Sequence, residues 1–262
     1  MKNQKLYKIK KLKIYIENII NFLLNLVIKE KFNKSKYKFS INEVWYSPWE
    51  TDKEFNELYL KIFKYTLISK QKLYCLYNIS KQISKINGSF LEIGTLQGGS
   101  GALLASNLKK KKLILWDNWG GDVEDSINNN VNKKNNYFVD KIYADKDDFL
   151  LTKNLVEKFT NQNKTKLVFK NNLFPDNKII SSINKNISLV HFDLYNKDAF
   201  INGIELIWPK IIDGGVFIIS AYGSISLDPL TDAVNHYYKK NKKNCIFFQT
   251  FSGLAILFKS RK

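Results

Sequence analysis

Two groups of residues carry types and spacings that could do chemistry. The first lies in residues 89–117, SFLEIGTLQGGSGALLASNLKKKKLILWD. Its glycines, Gly94, Gly98, Gly99 and Gly101, let a backbone approach a ligand closely. The N–H groups and dipole of a following helix attract a carboxylate or a phosphate. Asp117, at the tip of the next apolar run, can accept from both hydroxyls of a ribose. The second group lies in and after ISLVHFD, residues 187–193. His191, Asp193 and Tyr195 could each take a proton from a hydroxyl, as could His236 on a later helix. Asp193, at a strand tip, is the preferred base. His191, inside an apolar run, also reads as a core histidine with its hydrogen bonds satisfied.

Specific elements must position these groups. Phe90 to Ile93 reads as a strand, Gly94 to Gly101 as a glycine turn, Ala102 to Leu108 as a helix, and Leu113 to Trp116 as the next strand. A dinucleotide fingerprint would need G-x-G-x-x-G, and Leu96 stands where its second glycine belongs. The spacing E-x-G-x-x-x-G-x-S, at Glu92, Gly94, Gly98 and Ser100, resembles instead the S-adenosylmethionine (SAM) motif of Rossmann-like methyltransferases. The cofactor contacts expected from it are Glu92, Gly94, Thr95, Gly98, Ser100, Asp117, Asn118 and Trp119.

The rest of the chain alternates helices and strands. Residues 53–86 carry helical periodicity, closed by Asn87-Gly88. A connection spans 118–165, with a polar run from Asn128 to Asn136 that suits a lid or an insertion equally, and a helix from Asp145 to Thr160. Strands follow at 166–170, 187–193, 216–219, 245–249 and 254–258, with Ser252-Gly253 as a hairpin-like turn. This order predicts an α/β fold with a mostly parallel sheet and an antiparallel C-terminal edge. Ligands in such sheets bind at the carboxyl ends of the strands, where Gly94, Asp117 and Asp193 fall.

Composition narrows the classes. The 262 residues suit one α/β domain with additions. The net charge of +18 comes from 42 basic against 24 acidic residues, and Arg261 is the one arginine. Lysine without arginine speaks weakly for nucleic acid, which is not an expected partner, and more for anionic surfaces. Cys75 and Cys245 have no metal spacing and read as thiols in a reducing, cytoplasmic setting. Residues 1–45 form a separate basic, amphipathic segment. Lysines crowd both ends of 1–38, and between them Ile14 to Ile28 puts Glu17, Asn18, Asn21 and Asn25 on one helix face. Those residues would span about 22 Å, short of a bilayer core of roughly 30 Å. The segment therefore suits a helix packed on the domain or in a homo-oligomer. The second reading is peripheral contact with an anionic membrane at its inner face.

From about residue 70 onward the chain resembles the macrocin O-methyltransferase family of SAM-dependent sugar methyltransferases. The carrying pieces are GSFLEIGTLQGGS (88–100), LWDNWGG (115–121), LVFKNNLFPD (167–176), LVHFD (189–193), WPKIIDGGVFII (208–219), YGS (222–224), TDAVNHYY (231–238) and SGLAILFK (252–259). The resemblance implies a Rossmann-like seven-stranded methyltransferase sheet over residues 46–262, SAM on the glycine turn, and its ribose on Asp117. It implies a sugar or glycan hydroxyl as acceptor. Family members carry an H-x-D-x-D pattern and a later Asp-Asp pair, in which the first Asp and the pair hold a divalent cation. Counted without gaps, His191 and Asp193 match the His and the first Asp. Tyr195 takes the place of the base, and Ser220-Ala221 that of the pair. A gapped count puts Asp193 on the base. Either way at least two carboxylates are missing, which argues against metal dependence. The expected function is O-methyl transfer to a sugar, glycan or glycosylated small molecule. The alternative is a SAM-binding fold without catalysis that serves as a partner in glycan assembly.

Overall fold

The computed structural model describes residues 47–119, 146–223 and 228–260, together with six positions of an N-terminal helix: Ile16, Ile19, Ile20, Phe22, Leu23 and Leu26. The lysines of 1–38, the run Asn128–Asn136 and Ser224 lie outside the described residues. By internal contacts the chain divides into Met1–Pro48 and Trp49–Lys262.

After a short helix α1 (Pro48–Thr51), Asp52 caps α2 (Lys53–Ile62), its Oδ1 accepting from Phe55 N at 3.0 Å. The periodic stretch 53–86 is not one helix. A 3-10 turn (Phe63–Tyr65) and extended Thr66 interrupt it, and Ser69 starts α3 (Lys70–Ile83). The break has a use. A Cβ on Gly99 would lie 2.7 Å from Tyr65 O, so the interrupted segment packs directly on the glycine turn.

Then come β1 (Ser89–Ile93), α4 (Gly99–Asn107), β2 (Lys112–Asp117), α5 (Lys146–Asn163), β3 (Lys166–Asn171) and α6 (Asn177–Ser182). They are followed by β4 (Ile187–Phe192), α7 (Lys197–Ile207), β5 (Ile211–Ile219), α8 (Asp228–Asn241), β6 (Cys245–Gln249) and β7 (Ala255–Lys259). The seven strands form one sheet in the order β3-β2-β1-β4-β5-β7-β6. β1 to β5 pair in parallel; β7 runs antiparallel to both β5 and β6. The antiparallel strand therefore lies inside the sheet, and β6 is the edge. The sheet is the Rossmann-like, mostly parallel one expected. Helix α5 extends three residues past the expected Thr160.

Alternation along the buried strands separates two cores. Leu91, Ile93, Val190, Phe192, Phe217 and Ile219 face α7 and α8. Phe90, Leu113, Leu115, Leu189, Val216 and Ile218 face α2, α3, α4 and α5. Each such fully buried large side chain contributes about 1.5–3 kcal/mol. By the same period of two, Glu92, His191 and Ser220 all fall on the second face, where an apolar row would be expected. The reversal of strand order lies between β1 and β4, and the crevice there is where open α/β sheets bind ligands.

Among the described residues no helix is long and apolar enough to cross a membrane. The six described positions of the N-terminal helix all carry exposed side chains.

Candidate active site

The glycine turn is built by positive φ angles. Gly94 has φ +85° and Gly98 φ +86°, and Leu96 between them is forced to +50°. A Cβ on Gly94 would stand 2.7 Å from Asp193 O, so only glycine lets the end of β1 lie this close to the end of β4. Gly98 is the N-cap of α4 and offers no side-chain cap, which leaves the first-turn N–H groups to a ligand.

Leu96 is held on both sides. Its N–H donates to Asp117 Oδ2 at 2.6 Å. Its carbonyl accepts from Trp119 Nε1 at 2.8 Å and from Thr152 Oγ1 at 2.7 Å. Asp117 Oδ1 also accepts from Asn118 N at 2.7 Å. Burial pushes the Asp117 carboxyl above the ordinary aspartate range, and these backbone donors pull against it. The acid and the bend thus face one another. A carboxylate has about four acceptor directions, so further donors can still reach Asp117. Thr95 Oγ1 is buried in the turn without a partner.

Trp119 is buried and packs on Phe149 and Phe169, and its ring supports the turn through the bond from Nε1 to the Leu96 carbonyl. Ser100 is buried in the first turn of α4. Tyr222 is also enclosed, its hydroxyl donating to Asn235 Oδ1 and accepting from Gln249 Nε2.

Beneath the turn runs a buried polar row. Glu92 Oε1 lies 2.9 Å from His191 Nδ1, and His191 Nε2 lies 2.6 Å from Ser220 Oγ. Glu92 and His191 are wholly enclosed. Burial alone would depress the imidazole, but the Glu92 carboxylate outweighs it and holds His191 above its ordinary value. Glu92 Oε2 has no partner and lies 2.9 Å from where a Cβ on Gly101 would stand, so Gly101 makes room for it. Glu92 is thus tied to His191 beneath the turn.

Asp193 follows β4 directly. Its N–H donates to Ile93 O at 2.8 Å, and its Oδ1 is buried without a hydrogen-bond partner. Burial pushes its carboxyl up to about 7, against the opposing pull of His191. Tyr195 is exposed in the loop beyond, with its phenol raised to about 12 by burial of the hydroxyl and then by Asp193. His236 is exposed on α8.

The sequence reading missed Lys72. It stands in the first turn of α3, and its Nζ donates to Ser220 O at 2.6 Å. The sole signal was a lysine in a first helical turn, where the dipole disfavours a cation.

The pattern described as Macrocin-O-methyltransferase (TylF) matches residues 13–248. The chain belongs to the macrocin O-methyltransferase family. It is a SAM-dependent methyltransferase with a Rossmann-like fold. No curated protein matches it. Among solved structures, the O-methyltransferase NovP is 15% identical, with a TM-score of 0.51, over 75% of this chain and 83% of its own. The calicheamicin methyltransferase CalS11 is 14% identical, with a TM-score of 0.51, over 85% of this chain and 99% of its own. A protein from Corynebacterium glutamicum is 11% identical, with a TM-score of 0.50, over 84% of this chain and 93% of its own. At such identities the likeness is one of fold.

The family implies SAM, and the turn fits it: a glycine-lined bend, an uncapped helix start, an unpartnered Thr95 hydroxyl and Asp117 opposite. A hard divalent cation does not fit. Both ring nitrogens of His191 and the hydroxyl of Ser220 are engaged with one another or with Glu92, which leaves Asp193 as the one free carboxylate in the matching positions. Among the described residues no cluster of His, Cys, Asp and Glu could hold a metal ion.

Proposed function

We propose that this methyltransferase acts on a hydroxyl of a sugar, a glycan or a glycosylated small molecule, with Asp193 as the group that takes the hydroxyl proton. The observation that carries the reading is the buried, unpartnered Oδ1 of Asp193 at the carboxyl end of β4, against the glycine turn. When bound, SAM supplies a methyl group on a positively charged sulfur, a donor that needs no further activation. The turn from Gly94 to Ser100 would take its amino-acid end, and Asp117 with Asn118 its ribose. What remains for the chain is alignment and proton removal. Bound SAM would give its methyl group to the acceptor oxygen and keep the bonding electron pair on its sulfur. The hydroxyl proton then passes to the Asp193 carboxylate. A group titrating near 7 suits that role at neutral pH. Tyr195 suits it poorly, since its phenol stays protonated there. His191 is bound on both sides and positions the row beneath.

The test is Asp193→Asn. It should keep affinity for S-adenosylhomocysteine and lose methyl transfer to glycan fractions; unchanged transfer would sink the assignment. A second reading, a non-catalytic SAM-binding partner in glycan assembly, is favoured by Ser220-Ala221 in place of the acidic pair. Robust transfer to any glycan acceptor disposes of it.

The proposal extends to the N-terminus. Exposed apolar side chains at Ile16, Ile19, Ile20 and Leu23 follow helical spacing, and lysines crowd both ends of the segment in sequence. That pattern supports peripheral contact with an anionic membrane.

A further inference from the structure

We propose that the Lys72 ammonium is the fixed cation of the catalytic centre, standing on the Ser220 carbonyl near Asp193. The inference rests on the methyl-transfer reading above. Ser220 is the anchor of the argument, because it stands where the first acid of the pair would be. Its carbonyl receives Lys72 Nζ at 2.6 Å, while its hydroxyl meets His191 Nε2 at 2.6 Å. One residue is thus gripped from α3 on one side and from β4 on the other.

The hairpin turn between β6 and β7 lies alongside the lysine: a Cβ on Gly253 would be in ordinary contact with it, 3.4 Å from Lys72 Cε and 3.6 Å from Nζ. Lys72 is half-buried: burial pulls its ammonium below the ordinary lysine range, and the nearby Asp193 carboxylate pulls the other way. The Ser220 carbonyl fills one of its three donor directions.

The charge logic is simple. The family pattern sets three carboxylates, the first Asp and the pair, around a divalent ion. With the pair replaced by Ser220-Ala221 the hold on the ion is gone, and one ammonium faces the one remaining carboxylate, Asp193. A lysine also brings a donor that can reach an acceptor oxygen as its proton leaves, so developing negative charge meets a fixed positive one. Arginine keeps the charge but presents a planar fork in place of a compact point charge.

Two measurements test this, and the first needs no acceptor. Lys72→Glu places a carboxylate in a first helical turn, which favours acids, beside Asp193 and the Ser220 carbonyl. Mn²⁺ followed by electron paramagnetic resonance should bind this variant at least about tenfold more tightly than the wild type or Lys72→Met, since charge count sets the affinity of such sites. Equal Mn²⁺ binding by all three proteins overturns the proposal. The second measurement uses radiolabelled SAM and cell glycan fractions. Lys72→Met should lower kcat by about 100-fold, the scale of one lost electrostatic contact, with KM for SAM and S-adenosylhomocysteine affinity unchanged. Lys72→Arg should recover part of the rate, and chelator should leave the wild type unaffected. Full activity in Lys72→Met, or loss of wild-type activity with chelator, overturns it. If the wild type labels no glycan, the sugar-hydroxyl reading fails, and the Mn²⁺ comparison still decides on Lys72.

Discussion

Glu92 and His191 face each other across β1 and β4, with Oε1 2.9 Å from Nδ1 and both side chains fully enclosed. The parallel register puts these two residues directly opposite, so the contact follows from strand pairing. A buried pair of this kind is costly to break, because either partner left alone is an uncompensated polar group in the core. Glu92→Ala or His191→Ala should therefore cost about 3–5 kcal/mol, read from urea unfolding. A loss below about 1 kcal/mol, the scale of an exposed pair, would show that the pair is not closed. His191 is held above its ordinary 6.5, with the Glu92 carboxylate outweighing burial. The contribution is therefore fully present below about pH 6.5 and fades as pH rises through the raised folded value.

Asp193 gives a second pH signature with a different readout. Burial raises its carboxyl from 3.8 to about 7. Between those values the folded protein binds the proton that the unfolded chain has lost, so stability falls as pH rises from about 4 to about 7 and then levels off. Methyl transfer should rise over the upper part of the same range as the base ionises. Asp193→Asn should flatten the stability profile there, be more stable than the wild type at pH 8, and transfer no methyl. A parallel stability profile in the variant would contradict the burial argument.

Gly94 and Asp117 should separate shape from charge at the turn. Gly94→Ala puts a Cβ 2.7 Å from Asp193 O on a backbone with φ +85°. It should cost about 1–3 kcal/mol in stability and abolish measurable SAM binding. Asp117→Asn keeps acceptor capacity toward Leu96 and removes the charge. It should fold normally and weaken SAM by about tenfold or more, the scale of a charge-assisted contact. Calorimetric titration of both variants checks the pair. Wild-type SAM affinity in Gly94→Ala would refute the close-approach argument.

The N-terminal helix can be tested apart from catalysis. The full chain should sediment with vesicles of phosphatidylcholine and phosphatidylglycerol, and not with phosphatidylcholine alone. Added salt should weaken the association, because lysines on headgroups are screened. Ile19→Glu with Leu23→Glu should abolish it. A salt-independent dimer that ignores vesicles would assign this apolar face to a second copy of the chain.

The glycine turn and the strands of the mostly parallel sheet were legible because their constraints are local. Positive φ demands glycine, and buried parallel strands demand apolar runs. The facing of Asp117 and Leu96 follows from those two constraints. The row Glu92–His191–Ser220 was half legible: its members are polar residues on a face where period two calls for apolar ones. Their partnership depends on inter-strand register, which a single strand does not carry. Lys72 was invisible for a related reason. Its partner lies 148 positions away in sequence, and its one local signal, a cation in a first helical turn, is lost among 42 basic residues. The break between α2 and α3 was also missed, since apolar periodicity runs through it. Only the approach of Gly99 to Tyr65 shows its purpose.

The account stands most directly on one assay: the wild-type protein, SAM carrying a tritiated methyl group, and glycan fractions from cells, with and without chelator. The expected result is label fixed on a sugar fraction as an alkali-stable methyl ether, insensitive to chelator and absent with Asp193→Asn. No label in any glycan fraction, or equal label with the Asp193 variant, would contradict it.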